Sequence, residues 1–142
     1  MNKVFKYNFL FTALLLVFTW MGCKKDSNTV PVVYTDIYLY ATDPAFAPLN
    51  AIGGYAYVAG GSKGILIYRN SISTFMAYDR QCTYNVSEGN VVVVDASGLL
   101  AVDAVCKSKF IVTDGTPSQG PAVNALKRYQ TAFDGTVLHI FN

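Results

Sequence analysis

From residue 36 to the C-terminus, short runs of alternating or β-branched apolar residues are closed off every few positions by glycine, proline, asparagine or aspartate. Period-2 alternation with such punctuation predicts strands rather than helices. Asp36 to Tyr40 sets Ile37 and Leu39 against polar-tipped neighbours, and Asp43-Pro44 and Ala47-Pro48 end it, because proline cannot donate to a ladder. Tyr55 to Val58 and Ile65 to Tyr68, joined through Gly60-Gly61, read as a hairpin. After the polar turn Arg69 to Thr74 comes a strand from Phe75 to Asp79. Val91 to Asp95, Leu99 to Val102 and Phe110 to Thr113 are further strands, and the segment from Asp114-Gly115 to Gly120-Pro121 reads as irregular. Leu126 to Phe133 and Thr136 to Phe141 close the chain as a hairpin, with Asp134-Gly135 predicting a type I′ turn. Nowhere do apolar residues recur at helical spacing for three turns. The expectation is an all-β domain of about eight to ten short strands in a small sandwich or barrel.

The first residues follow a different rule. Lys3 and Lys6 precede the apolar run Phe9 to Met21, too short to span a bilayer comfortably, and Gly22-Cys23 closes it. This resembles a bacterial lipoprotein signal, although Trp20 stands where leucine is usual. The resemblance implies cleavage after residue 22 and a lipid-modified Cys23. An ordinary secretory signal and an uncleaved anchor remain open, and each of the three puts the domain outside the cytoplasm. Residues 23–34, polar and then proline-containing, read as a lipid-anchored tether, and 35–142 as the folded domain. With 142 residues there is room for one ordinary domain.

The signal also changes the charge. Eleven basic residues less Lys3 and Lys6 leave nine against nine acidic ones, so the remainder is formally neutral. No basic stripe interleaved with aromatics survives to suggest nucleic acid. The membrane is expected as a partner through acyl chains at Cys23, a protein partner is left unspecified, and the localisation is a bacterial cell envelope, with the outer membrane favoured.

With Cys23 taken by lipid, Cys82 and Cys106 are left as a pair in an oxidising compartment. They lie on two loops that flank Val91 to Val94. The first is Tyr78-Asp-Arg-Gln-Cys82-Thr-Tyr84 and the second Asp103-Ala-Val-Cys106-Lys-Ser-Lys-Phe110. This frame resembles the Rieske [2Fe-2S] domain, whose loops run Cys-x-His and Cys-x-x-His, the second continuing Gly-Ser-x-Phe, before a Gly-Pro-Ala loop and a final hairpin. Lys107-Ser108-Lys109-Phe110 takes the Gly-Ser-x-Phe place, and Gly120-Pro121-Ala122, Leu126, Tyr129 and the hairpin from Phe133 match the later elements. The resemblance covers residues 35 to 142 and implies a Rieske-like β domain.

Position by position, the resemblance keeps only Cys82 as a ligand. Tyr84 stands at the first histidine, Asp103 at the second cysteine and Cys106 at the second histidine, and Ser87 and Val105 replace the additional bridging cysteines. A Rieske cluster takes two thiolates on one iron and two imidazoles on the other. The domain is therefore expected to hold no cofactor and no metal, with Cys82 and Cys106 bridged as a disulfide across the emptied centre. The expected roles are three: a structural or interaction module that has lost its cluster; an electron-transfer protein with an unusually ligated [2Fe-2S] cluster; or a thiol-disulfide switch.

No catalytic constellation accompanies these loops. His139, the single histidine, shares a strand face with Val137 and Phe141 and reads as structural. Asp79 and Asp103 read as solvated or turn-capping carboxylates. Ser108 has no histidine to activate it, and Gly60-Gly61 has neither the helix nor the Lys-Ser/Thr of a phosphate cradle. The tyrosines are expected to cover the sheet and its edges.

Overall fold

A computed structural model describes residues 29–142; the signal segment 1–22, Cys23 and residues 24–28 lie outside the described residues. Ten strands account for the domain: β1 (Asp36–Tyr40), β2 (Tyr55–Val58), β3 (Ile65–Arg69), β4 (Phe75–Asp79), β5 (Val92–Val94), β6 (Leu100–Asp103), β7 (Lys109–Ile111), β8 (Pro117–Gln119), β9 (Arg128–Phe133) and β10 (Val137–Phe141). They pair antiparallel throughout, as a six-stranded sheet ordered β1-β10-β9-β4-β3-β2 and a four-stranded sheet ordered β5-β6-β7-β8. The all-β expectation holds. No helix among the described residues is long and apolar enough to cross a membrane.

The middle of the large sheet explains why two runs look continuously apolar. Ile65 to Tyr68 and the whole of β4 are buried, because β3 and β4 have a core on each face. One side chain set, including Leu66, Tyr68, Met76 and Tyr78, packs with Val92, Ala101, Phe110, Val112 and Leu126 between the sheets. The alternate set, Ile65, Ile67, Phe75 and Ala77, packs with Leu39, Leu49, Tyr129, Leu138 and Ile140. A strand covered on both faces loses the polar half of its alternation. Each such side chain contributes roughly 1.5–3 kcal/mol by leaving water.

Three elements differ from expectation. Pro44–Asn50 is a 3-10 segment, capped by the Asp43 carboxylate accepting from the Ala45 N–H at 2.8 Å; proline at its first position supplies a helical φ and lacks only a donor that would be unused. Pro117–Gln119 forms the edge strand β8, where a missing donor can face away from the ladder. The final turn is shifted by one residue. Leu138 pairs with Phe133 and Asp134 N–H donates to Val137 O at 3.2 Å, so Gly135 and Thr136 are the central pair. Gly135 has φ +101° and Thr136 is not among the positive-φ residues, whereas a type I′ turn needs positive φ at both. The Asp134 carboxylate accepts from the N–H groups of Thr136 and Val137 at 2.8 and 2.7 Å and sets this register.

Residues 29–34, expected as the end of a tether, contact the domain. Val30 is buried, and Lys127 Nζ donates to Pro31 O at 2.8 Å.

Candidate metal centre

Two loops leave the core side by side because β4 and β6 end at the same edge of the inter-sheet core. The first follows β4: Gln81 bridges to Val91, Cys82 N–H donates to Asn90 O at 2.8 Å, and Gln81 Nε2 donates to Val86 O at 2.7 Å. These bonds fold residues 81–91 into a closed lobe that holds the Cys82 side chain inside, 1% exposed. The second joins β6 to β7: Asp103 N–H bonds Ser108 O and Lys107 N–H bonds Asp103 O, each at 3.0 Å. Lys107 makes this tight turn with φ +65°, a region that favours glycine, the residue at this place in the Gly-Ser-x-Phe motif that the loop resembles. The loop around cis-proline Pro121 closes the third side, where Ala122 N–H donates to Ser108 Oγ at 2.9 Å and Thr83 Oγ1 donates to Asn124 O at 2.7 Å.

Inside this enclosure Cys82, Asp103 and Cys106 converge, their ligating atoms all within 4.8 Å of one another. The Sγ atoms of Cys82 and Cys106 are 3.7 Å apart, and both are free thiols in this structure. Cys106 Sγ lies 3.1 Å from Asp103 Oδ2 and 3.1 Å from Ser108 Oγ. Asp103 Oδ1 accepts from the N–H groups of Val105 and Cys106 at 2.7 and 3.2 Å. One carboxylate oxygen is thus tied to the loop backbone and the other is turned to the sulfurs.

The protonation pattern follows from the same contacts. Burial pushes the Cys82 thiol well above its ordinary range, with the Asp103 carboxylate adding to the effect against the opposing Tyr84 N–H. Burial raises the Asp103 carboxyl too, but donation from the Cys82 and Cys106 thiols and from the Val105 and Cys106 backbone outweighs it, and the net shift is downward. A carboxylate beside two cysteine sulfurs is a donor set that a soft or borderline cation would enter by displacing thiol protons.

The sulfur spacing is compatible with a shared ion. Two thiolates at about 2.3 Å on a tetrahedral ion lie about 3.8 Å apart, whereas a disulfide needs about 2.05 Å. The donor set does not fit a standard Rieske cluster. No imidazole is present: His139 sits on β10, its Nε2 2.7 Å from Asp36 Oδ1, stacked between Tyr38 and Phe141. Tyr84, at the remaining ligand position, is a 40% exposed side chain.

The other candidates are elsewhere. Asp79 is fully buried rather than solvated. Its carboxylate accepts from Ser62 N–H at 2.6 Å, Lys63 N–H at 3.3 Å, Gln81 N–H at 2.9 Å and Tyr129 Oη at 2.8 Å, closing the Gly60-Gly61 turn. Asp103 is also fully buried, so neither carboxylate is solvated, while each caps its own turn, Asp103 at Val105 and Cys106 and Asp79 at Gln81. Ser108 supports Cys106.

No protein-family model and no curated protein matches the chain. Among solved structures, the cyanobacterial plasma membrane Rieske protein PetC3 from Synechocystis PCC 6803 superposes with a TM-score of 0.56 and 23% identity, over 69% of this chain and 95% of that one. The ferredoxin of carbazole 1,9a-dioxygenase from Nocardioides aromaticivorans IC177 gives a TM-score of 0.50 and 16% identity, over 80% and 98%. The domain has a Rieske-like fold.

Together with that fold, the convergence overturns the expectation that no cofactor is held. A lost histidine is not in itself a lost ligand. Asp103 at a cysteine place and Cys106 at a histidine place instead exchange one ligating side chain for another.

Proposed function

We propose that this protein is an envelope electron carrier of the Rieske-like fold, anchored by lipid at Cys23, whose metal centre is held by Cys82, Asp103 and Cys106. The observation that carries this reading is the meeting of two thiols and a carboxylate on the two loops where the fold presents its centre. The ligand set suits a single thiolate-bound iron ion better than a cluster needing imidazoles. The likeness to a Rieske protein and a ferredoxin supports electron carriage.

The test is anaerobic loading of the reduced protein with Fe²⁺ alone, with Zn²⁺ alone, and with Fe²⁺ plus sulfide, followed by metal and sulfide analysis, absorption spectra and a redox titration. One iron without sulfide, reducible and reoxidisable, is the expected result, with loading lost in Cys82→Ser and Cys106→Ser. Two irons with two sulfides would make the centre a [2Fe-2S] cluster with unusual ligands. Zinc binding without stable iron binding would keep the site and remove the electron role, and no loading at all would overturn the reading.

A thiol-disulfide pair is a second reading: the two sulfurs are neighbours at 3.7 Å, and oxidation would have to draw them in to the roughly 2.05 Å of a bridge. A reduction potential of the Cys82–Cys106 couple near those of redox-active dithiols supports it, and a value below about −300 mV marks a bridge as structural.

A further inference from the structure

The loops around the centre carry an exposed apolar surface that the proposed redox chemistry does not use. Val32 is 81% exposed, Val105 67%, Val123 84% and Tyr84 40%. These residues belong to one end of the molecule. The Thr83–Asn124 hydrogen bond brings Val123 beside Tyr84. Cys106 and Ala122 share Ser108 Oγ, which brings Val105 to the same rim. Val32 lines, with Thr83, Asn124 and Lys127, a depression of about 420 Å³ at this end.

Charge at this end is mostly basic, with Arg80, Lys107, Lys127 and Arg128. Residues 80–91, 104–108 and 120–128 contain a single exposed acidic side chain, Glu88, already hydrogen-bonded by Asn85 and by Asn90. Asp103 lies just outside them and is buried. Lys107 and Lys127 stand among the apolar residues. Valine and tyrosine tips flanked by lysines match an anionic lipid surface, where side chains enter the headgroup layer and ammonium groups stay with phosphate.

The length of the preceding chain selects the occupant. Cys23 lies six residues before Thr29, and Thr29 lines the same depression. Six residues span at most about 20 Å. An acyl group on Cys23 therefore holds this end, and not the far end of the sheets, near the bilayer.

We infer that the loop end formed by Val32, Tyr84, Val105 and Val123 seats on the surface of an anionic bilayer, turning the centre toward the membrane. This rests on the lipid anchor at Cys23. The full acylated chain is reconstituted into vesicles of phosphatidylcholine and phosphatidylglycerol and labelled with a photoreactive diazirine dissolved in the lipid phase. Ile72 is the internal control: it is 75% exposed and sits in the turn at the opposite end of β4.

Peptides carrying Val105 and Val123 are expected to take up roughly fivefold more label than the one carrying Ile72. In Val105→Asp with Val123→Asp, both at exposed positions, label at the Tyr84 peptide falls to the Ile72 level while the chain stays on the vesicles. Equal labelling of both ends in a chain that pellets with vesicles would overturn the inference and leave the anchor standing. A tip unlabelled in vesicles but shielded from an aqueous reagent in native membranes would assign the surface to a protein and equally overturn it. An N-terminal peptide whose mass shows Cys23 unmodified, in a chain that does not pellet, would remove the anchor and the inference together.

Discussion

Tyr78 and Tyr129 are both buried phenols with opposite hydrogen-bond situations. Tyr129 Oη donates to the buried Asp79 carboxylate at 2.8 Å, while Tyr78 Oη has no hydrogen-bond partner among the described residues. A bond to an ionised group contributes roughly 1.5–3 kcal/mol, and a buried hydroxyl without a partner costs about 1–3 kcal/mol. Tyr129→Phe is therefore expected to lower the urea-unfolding free energy by about 2 kcal/mol, and Tyr78→Phe to leave it unchanged or raise it by up to about 1 kcal/mol. The two phenols also set an alkaline limit. Burial pushes Tyr78 up to about 12, and burial with the Asp79 carboxylate pushes Tyr129 higher still. A folded-state value above the unfolded one gives stability that is whole below about pH 10 and is lost as pH rises through the folded value. Absorbance titration at 295 nm should show these two phenols ionising only in a late step that coincides with loss of near-UV circular dichroism. Little of this was legible in the sequence. Asp79 could be read as a turn cap, but its four donors come from positions 62, 63, 81 and 129, and only the fold brings them to one carboxylate.

Among the elements, the strands were legible wherever side-chain chemistry alone decides backbone conformation. β1, β2, β3, β4 and the final hairpin lie where β-branched and aromatic runs placed them. The sequence could not place β8, because Pro117 and two polar residues become a strand only by pairing with β7. Glycines show the same division between local and tertiary causes. Gly98 and Gly61 both have positive φ, +72° and +59°. A Cβ at Gly98 would meet nothing within 4 Å, whereas one at Gly61 would collide with Tyr129 Oη and Asp79 Oδ2. Gly98→Ala should cost about 1 kcal/mol, the backbone term alone. Gly61→Ala should cost at least about 3 kcal/mol, since it also displaces the Asp79 carboxylate from its donors. Guanidinium unfolding of the two variants compares them directly, and equal losses would mean that the Gly61 turn relaxes independently of Asp79.

At the scale of the whole molecule, the candidate centre adds a junction to those the two sheets already share, namely the core, the Gln81–Val91 bridge and the bond from Val94 N–H to Tyr57 Oη. Cys82 belongs to the loop leaving the six-stranded sheet, whereas Asp103 ends β6 of the four-stranded sheet and Cys106 stands in the turn between β6 and β7. The sequence shows every one of these residues but not their convergence, since 21 positions separate Cys82 from Asp103 and the distance between them is set by how the sheets stack. A cation bound to all three joins the two sheets in the folded state and has no such site in the unfolded chain, so binding energy becomes folding energy. At a free-ion concentration of about 100 times Kd, this linkage adds about 2.7 kcal/mol. For a domain of this size, that corresponds to a rise in Tm of roughly 10 °C or more. Differential scanning calorimetry of the reduced protein with and without Fe²⁺ or Zn²⁺, under argon, should show the rise, and a chelator should reverse it. Cys106→Ser alters a rim side chain without opening a core cavity, so the variant should unfold near the metal-free wild-type temperature and gain nothing from the ion. A shift that survived in this variant would place the binding elsewhere on the molecule and detach the metal from the junction of the sheets.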